Sequence, residues 1–192
     1  MNRGRIIVLS GPSGVGKTTI CERLLASRSD LRYSVSATSR PKRLVEKSGR
    51  EYIFMGPSEF KEKIRDGYFA EYAEVYGNYY GTPAGALEQG LSAGYNILMD
   101  VDVQGGRKLM HLYPDGIFIF IMPPDIAELE RRLKKRDTDH DTVIKKRLAN
   151  ARRELAYKVD YRYVIENKDL EETIARIMGI VENEISGPAP AR

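Results

Sequence analysis

The sequence predicts an α/β fold with a central parallel sheet, and three observations carry that expectation. Three short runs, Ile6-Ile7-Val8-Leu9, Ile97-Leu98-Met99 and Ile117-Phe118-Ile119-Phe120-Ile121, are apolar at every position rather than at alternate ones, as strands buried on both faces are. Stretches with helical periodicity separate and follow them, the alternation expected of a layered parallel sheet. The turn out of the first run is rich in glycine and opens straight into a helical pattern.

In chain order, the first run leads to a helix over Thr18 to Ala26. From Val35 to Tyr80 the rhythm breaks. Short alternating stretches (Glu51 to Phe54, Phe69 to Val75), one short helix (Ser58 to Asp66) and turn residues predict an inserted α+β lobe with antiparallel pairing. Within it, Gly77-Asn78 is read as a hairpin turn. Helices follow over Pro83 to Ala93, Gln104 to Leu112, Asp125 to Arg136 and Asp141 to Ala156, then a strand at Tyr163 to Ile165 and a last helix, Leu170 to Ile185. The expected division is a core of residues 1–35 and 94–192, a lobe of 36–93 and a helical lid at about 130–150, all within one domain spanning 4–185. The tail SGPAPAR is expected to fray.

The chain has 192 residues, 42% of them apolar and 30% charged, a balance that suits one globular domain rather than a disordered chain. Its single cysteine, Cys21, excludes an intrachain disulfide and fits a reducing cytoplasm. No stretch is of membrane-spanning length, and the apolar run at Ile6 is too short for a signal peptide. The net charge of +4 is uneven: Arg131 to Arg153 holds ten Lys and Arg against three Asp, a local +7. Such a segment is a solvated helix face or a site for a polyanion, either nucleic acid or nucleotide phosphates. Interface and core residues are indistinguishable in the pattern, so monomer and homodimer both stay open.

Gly11-Pro12-Ser13-Gly14-Val15-Gly16-Lys17-Thr18 is a full match to G-x-x-x-x-G-K-[ST], and Thr19 continues it into the helix. The glycines let the backbone wrap with its N–H groups toward phosphate oxygens, and the helix N-terminus adds partial positive charge. Lys17 is expected to reach the β- and γ-phosphates and the Thr18 hydroxyl to ligate Mg²⁺. These residues predict a P-loop NTPase three-layer fold that binds a triphosphate. They leave open what is done with it, because motors, switches, translocases and kinases share the loop.

The second site decides. Six further runs, SVSATSRPKR (34–43), GREY (49–52), EYAEVYGNYYGT (71–82), LMDVDVQG (98–105), RLKKRDT (132–138) and RLANARREL (147–155), follow the phosphate loop in order. Together they closely resemble guanylate kinase over nearly the whole chain. The resemblance implies a nucleoside monophosphate kinase that transfers the ATP γ-phosphoryl group to GMP, with dGMP as a further acceptor, and whose partners are small nucleotides rather than nucleic acid or membrane. It implies that Arg40, Arg43, Tyr52 and Tyr80 hold the GMP phosphate, and that Ser36, Glu71, Thr82 and Asp102 read guanine. It also implies Arg132, Arg136 and Arg147 closing over the transferring group and Asp100 holding Mg²⁺.

These assignments make chemical sense. Two guanidinium groups three residues apart suit a phosphate dianion, and tyrosine hydroxyls add donors without charge. Guanine offers N–H donors to carboxylates and O6 to hydroxyls, whereas adenine leaves a carboxylate facing a lone pair. Tyr80 and Thr82, two apart on a strand, share a face. Asp100 and Asp102 would also share one, so their separate roles require the chain to turn there. The acceptor phosphate, with a second pKa of about 6, needs no general base, so His111 and His140 receive no role. Lys135 and Asp137 stand where the family's lid carries glycines, Tyr72 replaces a tryptophan, and Leu44 to Lys47 departs from the usual loop. Three rivals are weighed: a non-catalytic scaffold domain, whose mark is a degraded phosphate loop; a kinase for another phosphorylated acceptor, which would not need Glu71, Thr82 and Asp102 together; and nucleic-acid binding, for which the basic segment lacks interleaved aromatics.

Overall fold

The computed structural model describes residues 3–44, 46–135 and 141–186. Ile6–Ser10 (β1) is buried at all five positions, and the reason is its place in the sheet. It lies between Asn96–Asp100 (β7) and Ile117–Met122 (β8), with Leu31–Tyr33 (β2) and Tyr163–Glu166 (β9) at the two edges, in the order β2-β7-β1-β8-β9, every pair parallel. Alternate residues of β1 then face opposite layers. Ile7 and Leu9 belong to a core with Ile20 and Leu24 of Lys17–Ser27 (α1) and Ile174, Ile177 and Val181 of Leu170–Ser186 (α7). Ile6 and Val8 belong to another, with Leu87 and Leu91 of Ala84–Ser92 (α3) and Leu109 of Val103–Leu112 (α4). The expected three layers are present.

Edge strand β2 was not among the expected elements; only Leu31 of its three residues is buried, so it carries no apolar run.

The lobe is a second sheet, ordered β4-β3-β6-β5, of Ala37–Thr38 (β3), Ile53–Phe54 (β4), Phe69–Val75 (β5) and Asn78–Pro83 (β6), with Pro57–Arg65 (α2) packed on it through Phe60. Two of its three pairings are antiparallel as expected, but β3 and β4 run parallel. The hairpin turn also differs from expectation. Val75 pairs with Asn78, so the turn is Tyr76-Gly77, with φ of 53° and 78°, rather than Gly77-Asn78. Asn78 instead donates from its side chain to the Tyr76 carbonyl. Helix α3, expected inside the lobe, packs through Leu87 and Leu91 against the core beside β7 and also contacts β5 and β6.

Two further helices, Ile126–Lys135 (α5) and Asp141–Glu154 (α6), with a short 3-10 helix over Leu155–Asp160, complete the basic segment. Arg136, Asp137 and His140 lie outside the described residues.

Candidate active site

The phosphate loop is built by steric exclusion. A Cβ on Gly11, whose φ is 131°, would lie 2.1 Å from the Ile121 carbonyl oxygen, so only glycine lets the loop pass this close to β8. Gly16, at φ 100°, caps α1 and aims the helix N-terminus at the loop's interior. Lys17 Nζ donates to the carbonyl oxygens of Gly11 and Pro12 at 2.5 and 3.2 Å. Burial lowers the Lys17 pKa, while Asp100 and Glu154 oppose that shift. Cys21 behind it is buried and its thiol pushed well up, which makes it inert.

Two side chains from elsewhere hold the loop's outer wall. Asn167 Nδ2 donates to the Val15 carbonyl at 2.7 Å and Asn167 Oδ1 accepts from Thr173 of α7. Arg132 donates to the carbonyls of Asn167 at 2.8 Å and Val15 at 3.4 Å, and its Nε to Glu128. Arginines 131 and 132 hold the Glu128 carboxyl at about 2. Arg132 therefore braces the loop from behind and does not line the cleft.

At the mouth of α1 the Thr18 hydroxyl lies 3.3 Å from Asp100 Oδ2, and the Tyr33 hydroxyl donates to Asp100 Oδ1. Burial pushes Tyr33 strongly up, so it stays a neutral donor that orients the carboxylate. A hydroxyl and a carboxylate fit the few protein oxygens Mg²⁺ takes when phosphates and water complete its shell. Among the described residues no group of three or more His, Cys, Asp or Glu forms a self-sufficient metal cage.

Opposite stands the lobe. Arg40 grips Glu46 with both terminal nitrogens, at 2.7 and 3.1 Å, and Glu46 also accepts from the Arg43 backbone N–H at 2.7 Å. The guanidinium sits 5.5 Å from the Tyr52 ring centroid, and Tyr52 meets Tyr80 edge-on at 5.8 Å. Deeper in, Glu71 and Thr82 are direct cross-strand partners, the register having shifted at the bulge after Phe69. Thr82 donates to Glu71 Oε1 at 2.7 Å. Burial raises the Glu71 carboxyl to about 7, against the pull of that hydrogen bond. Asp102 caps α4, accepting from the N–H groups of Gln104 and Gly105, and β7 ends at Asp100; the chain turns where the two roles require it.

The loop and the lobe share one cleft of about 880 Å³. Lys17, Thr18, Thr19 and the glycines Gly11, Gly14 and Gly16 with Ser13 line one end; Ser36, Arg40, Arg43, Tyr52, Glu71 and Tyr80 line the other; Asp100, Asp102 and Arg147 lie between. Of the expected residues, Pro12, Val15, Thr82 and Arg132 do not line it, Thr82 acting through Glu71 and Val15 facing the core. Sequence reasoning missed Glu46, Tyr33, Asn167 and Glu154. Glu46 lay in the loop that departs from the usual pattern, and Asn167 carries no local signal.

A profile of the family described as guanylate kinase matches residues 3–184. The chain belongs to the guanylate kinase family. Among relatives within that guanylate kinase family, the protein of Carboxydothermus hydrogenoformans is 41% identical over 184 residues, covering 96% of this chain and 90% of its own. That of Clostridium perfringens strain SM101 is 43% identical over 180 residues, with 94% and 83% covered. The crystal structure of guanylate kinase from Anaplasma phagocytophilum superposes with a TM-score of 0.83 at 37% identity, over 98% of this chain and 89% of that one. A shikimate kinase from Bacteroides thetaiotaomicron, at 15% identity and a TM-score of 0.51, shares the fold alone.

Proposed function

We propose that the chain transfers the γ-phosphoryl group of ATP to GMP, giving ADP and GDP, with dGMP as a further acceptor. One observation carries the reading: a complete phosphate loop and two carboxylates suited to guanine, the buried Glu71 and the half-buried Asp102, line one cleft. Family membership supports the same reading.

ATP phosphates are cradled by the loop's backbone N–H groups, with Lys17 leaving its carbonyl partners for phosphate oxygens. Thr18 and Asp100 would hold Mg²⁺, which when bound neutralises phosphate charge. Arg40, Arg43, Tyr52 and Tyr80 seat the acceptor phosphate, so Glu46 is the carboxylate that the dianion must displace or share Arg40 with. Glu71, ionised and held by the Thr82 hydroxyl, accepts from the guanine N–H edge; Ser36 supplies a hydroxyl and Asp102 a second carboxylate. Arg147, between the two ends, is placed to meet charge on the transferring group, and Arg136 is assigned to the lid. The acceptor oxygen is already deprotonated at neutral pH, and the chain needs no base for the step. Closure excludes water and protects ATP from hydrolysis.

A coupled ADP-release assay with GMP, dGMP, AMP, CMP and UMP tests the proposal. Release that depends on GMP or dGMP is expected; equal release without acceptor, or preference for AMP, overturns it. Among the described residues no helix is long and apolar enough to cross a membrane, and we place the reaction in the cytoplasm, with ATP and GMP as the partners of a monomer or homodimer.

A further inference from the structure

The tip of the β5–β6 hairpin holds a residue that a turn of this kind does not favour. Tyr76, with φ 53°, is the one non-glycine in the left-handed region among the described residues. Asparagine or glycine suits this first position of a two-residue turn, and an aromatic side chain is strained there. A hairpin tip is also usually solvated, yet the Tyr76 hydroxyl is buried and faces Asn150 of α6. Its ring lies under Arg147, the guanidinium carbon 5.7 Å from the ring centroid.

Arg147, Asn150 and Glu154 stand three and four residues apart, on one face of α6. All three act on Tyr76 of the lobe. The third, half-buried at the other end of this face, lines the cleft near the Ser13 backbone and Lys17. The helix thus spans from the acceptor lobe to the phosphate loop. The hairpin is continuous with Tyr80 and Thr82, so whatever seats the acceptor against β6 also seats the tip under Arg147.

We propose that Tyr76 is a positioning residue for Arg147: its ring face holds the guanidinium over the cleft, so that this arginine is presented to the transferring phosphoryl group when the acceptor lobe is docked. The proposal rests on the phosphotransferase reading above. An aromatic ring attracts a guanidinium through its negative face, which neither asparagine nor glycine can do, and this accounts for a tyrosine at a position that disfavours it.

Tyr76→Asn tests it, because Asn-Gly is the turn sequence such hairpins prefer and the fold keeps its hairpin. The expected result is a kcat lowered by about tenfold to a hundredfold, with KM for GMP and ATP changed less than about threefold. Tyr76→Phe, which keeps the ring face, restores most of that loss. In an Arg147→Ala background Tyr76→Asn has no further effect on kcat. With no nucleotide added, the Arg147 Nε–Hε NMR resonance is expected to carry a ring-current shift that Tyr76→Asn abolishes and Tyr76→Phe keeps. An unchanged kcat in Tyr76→Asn, additivity with Arg147→Ala, or a resonance indifferent to Tyr76→Asn overturns the proposal. The resonance is read without turnover, so failure of the positioning role is distinguishable from failure of the GMP reaction.

Discussion

Glu71 and Thr82 face each other across the β5–β6 ladder, and the Thr82 hydroxyl spends its proton on the Glu71 carboxylate, 2.7 Å away. That single bond links two residues expected to read guanine independently. It keeps an anion in a place where burial favours the acid: the carboxyl sits at about 7, raised from an ordinary 4.5.

A pH dependence follows for both stability and binding. A carboxyl whose folded pKa is raised gives stability that is complete below about 4.5 and lost as pH rises through about 7, by up to about 3 kcal/mol. Glu71→Gln removes this loss, so thermal melts are expected to show the variant gaining on the parent between pH 5 and pH 8. Guanine recognition runs the opposite way, since it needs the ionised form: KM for GMP is expected to rise in the parent as pH falls below about 7. In Thr82→Val, without the bond that opposes burial, that rise begins at higher pH.

Gly105 provides a separate handle on the same carboxylate. A Cβ there would lie 2.6 Å from Glu71 Oε2, the mobile end of a side chain. Gly105→Ala is therefore expected to displace the carboxylate while leaving the melting temperature within a few degrees. Steady-state kinetics should show KM for GMP raised by about tenfold, an amount of about 1.4 kcal/mol, with KM for ATP unchanged.

Arg40 and Glu46 form a two-nitrogen pair with side chains only 15% and 10% exposed. Arg40→Ala is expected to lower kcat/KM for GMP by about a hundredfold and stability by about 1 kcal/mol. Adding Glu46→Ala should restore the melting temperature, because no carboxylate is then left without its partner, but should not restore turnover. Calorimetry and the coupled assay read the two separately.

Asp100 and Thr18 are tested through the metal. Asp100→Asn keeps the shape and the Tyr33 contact but weakens a hard-cation ligand. In a Mg²⁺ titration of turnover the half-saturating concentration is expected to rise about tenfold or more, with far less change for Thr18→Ser, which keeps its hydroxyl.

The phosphate loop was legible because its determinants are eight consecutive residues, and the central strands because burial on both faces leaves no polar position. What escaped depends on contacts between distant segments. Strand β2 is recognisable only by its ladder to β7, since Arg32 and Tyr33 are not buried. The hairpin turn was displaced by one residue because Gly-Asn resembles a turn dipeptide, whereas register is set by the pairing of Val75 with Asn78. Glu46 is visible as a charged loop residue but not as the partner of Arg40. The resemblance named Thr82 and Glu71 together without revealing that one acts through the other.

Asn167 has a consequence for the order in which the protein is made. Its side chain satisfies the buried Val15 carbonyl from 152 positions further along the chain, and its backbone carbonyl anchors Arg132 to the same wall. A ribosome that has synthesised the glycine-rich turn and the first helix has not yet supplied either brace. The phosphate loop, written near the beginning of the chain, gains both braces only after Arg132 and Asn167 have been synthesised.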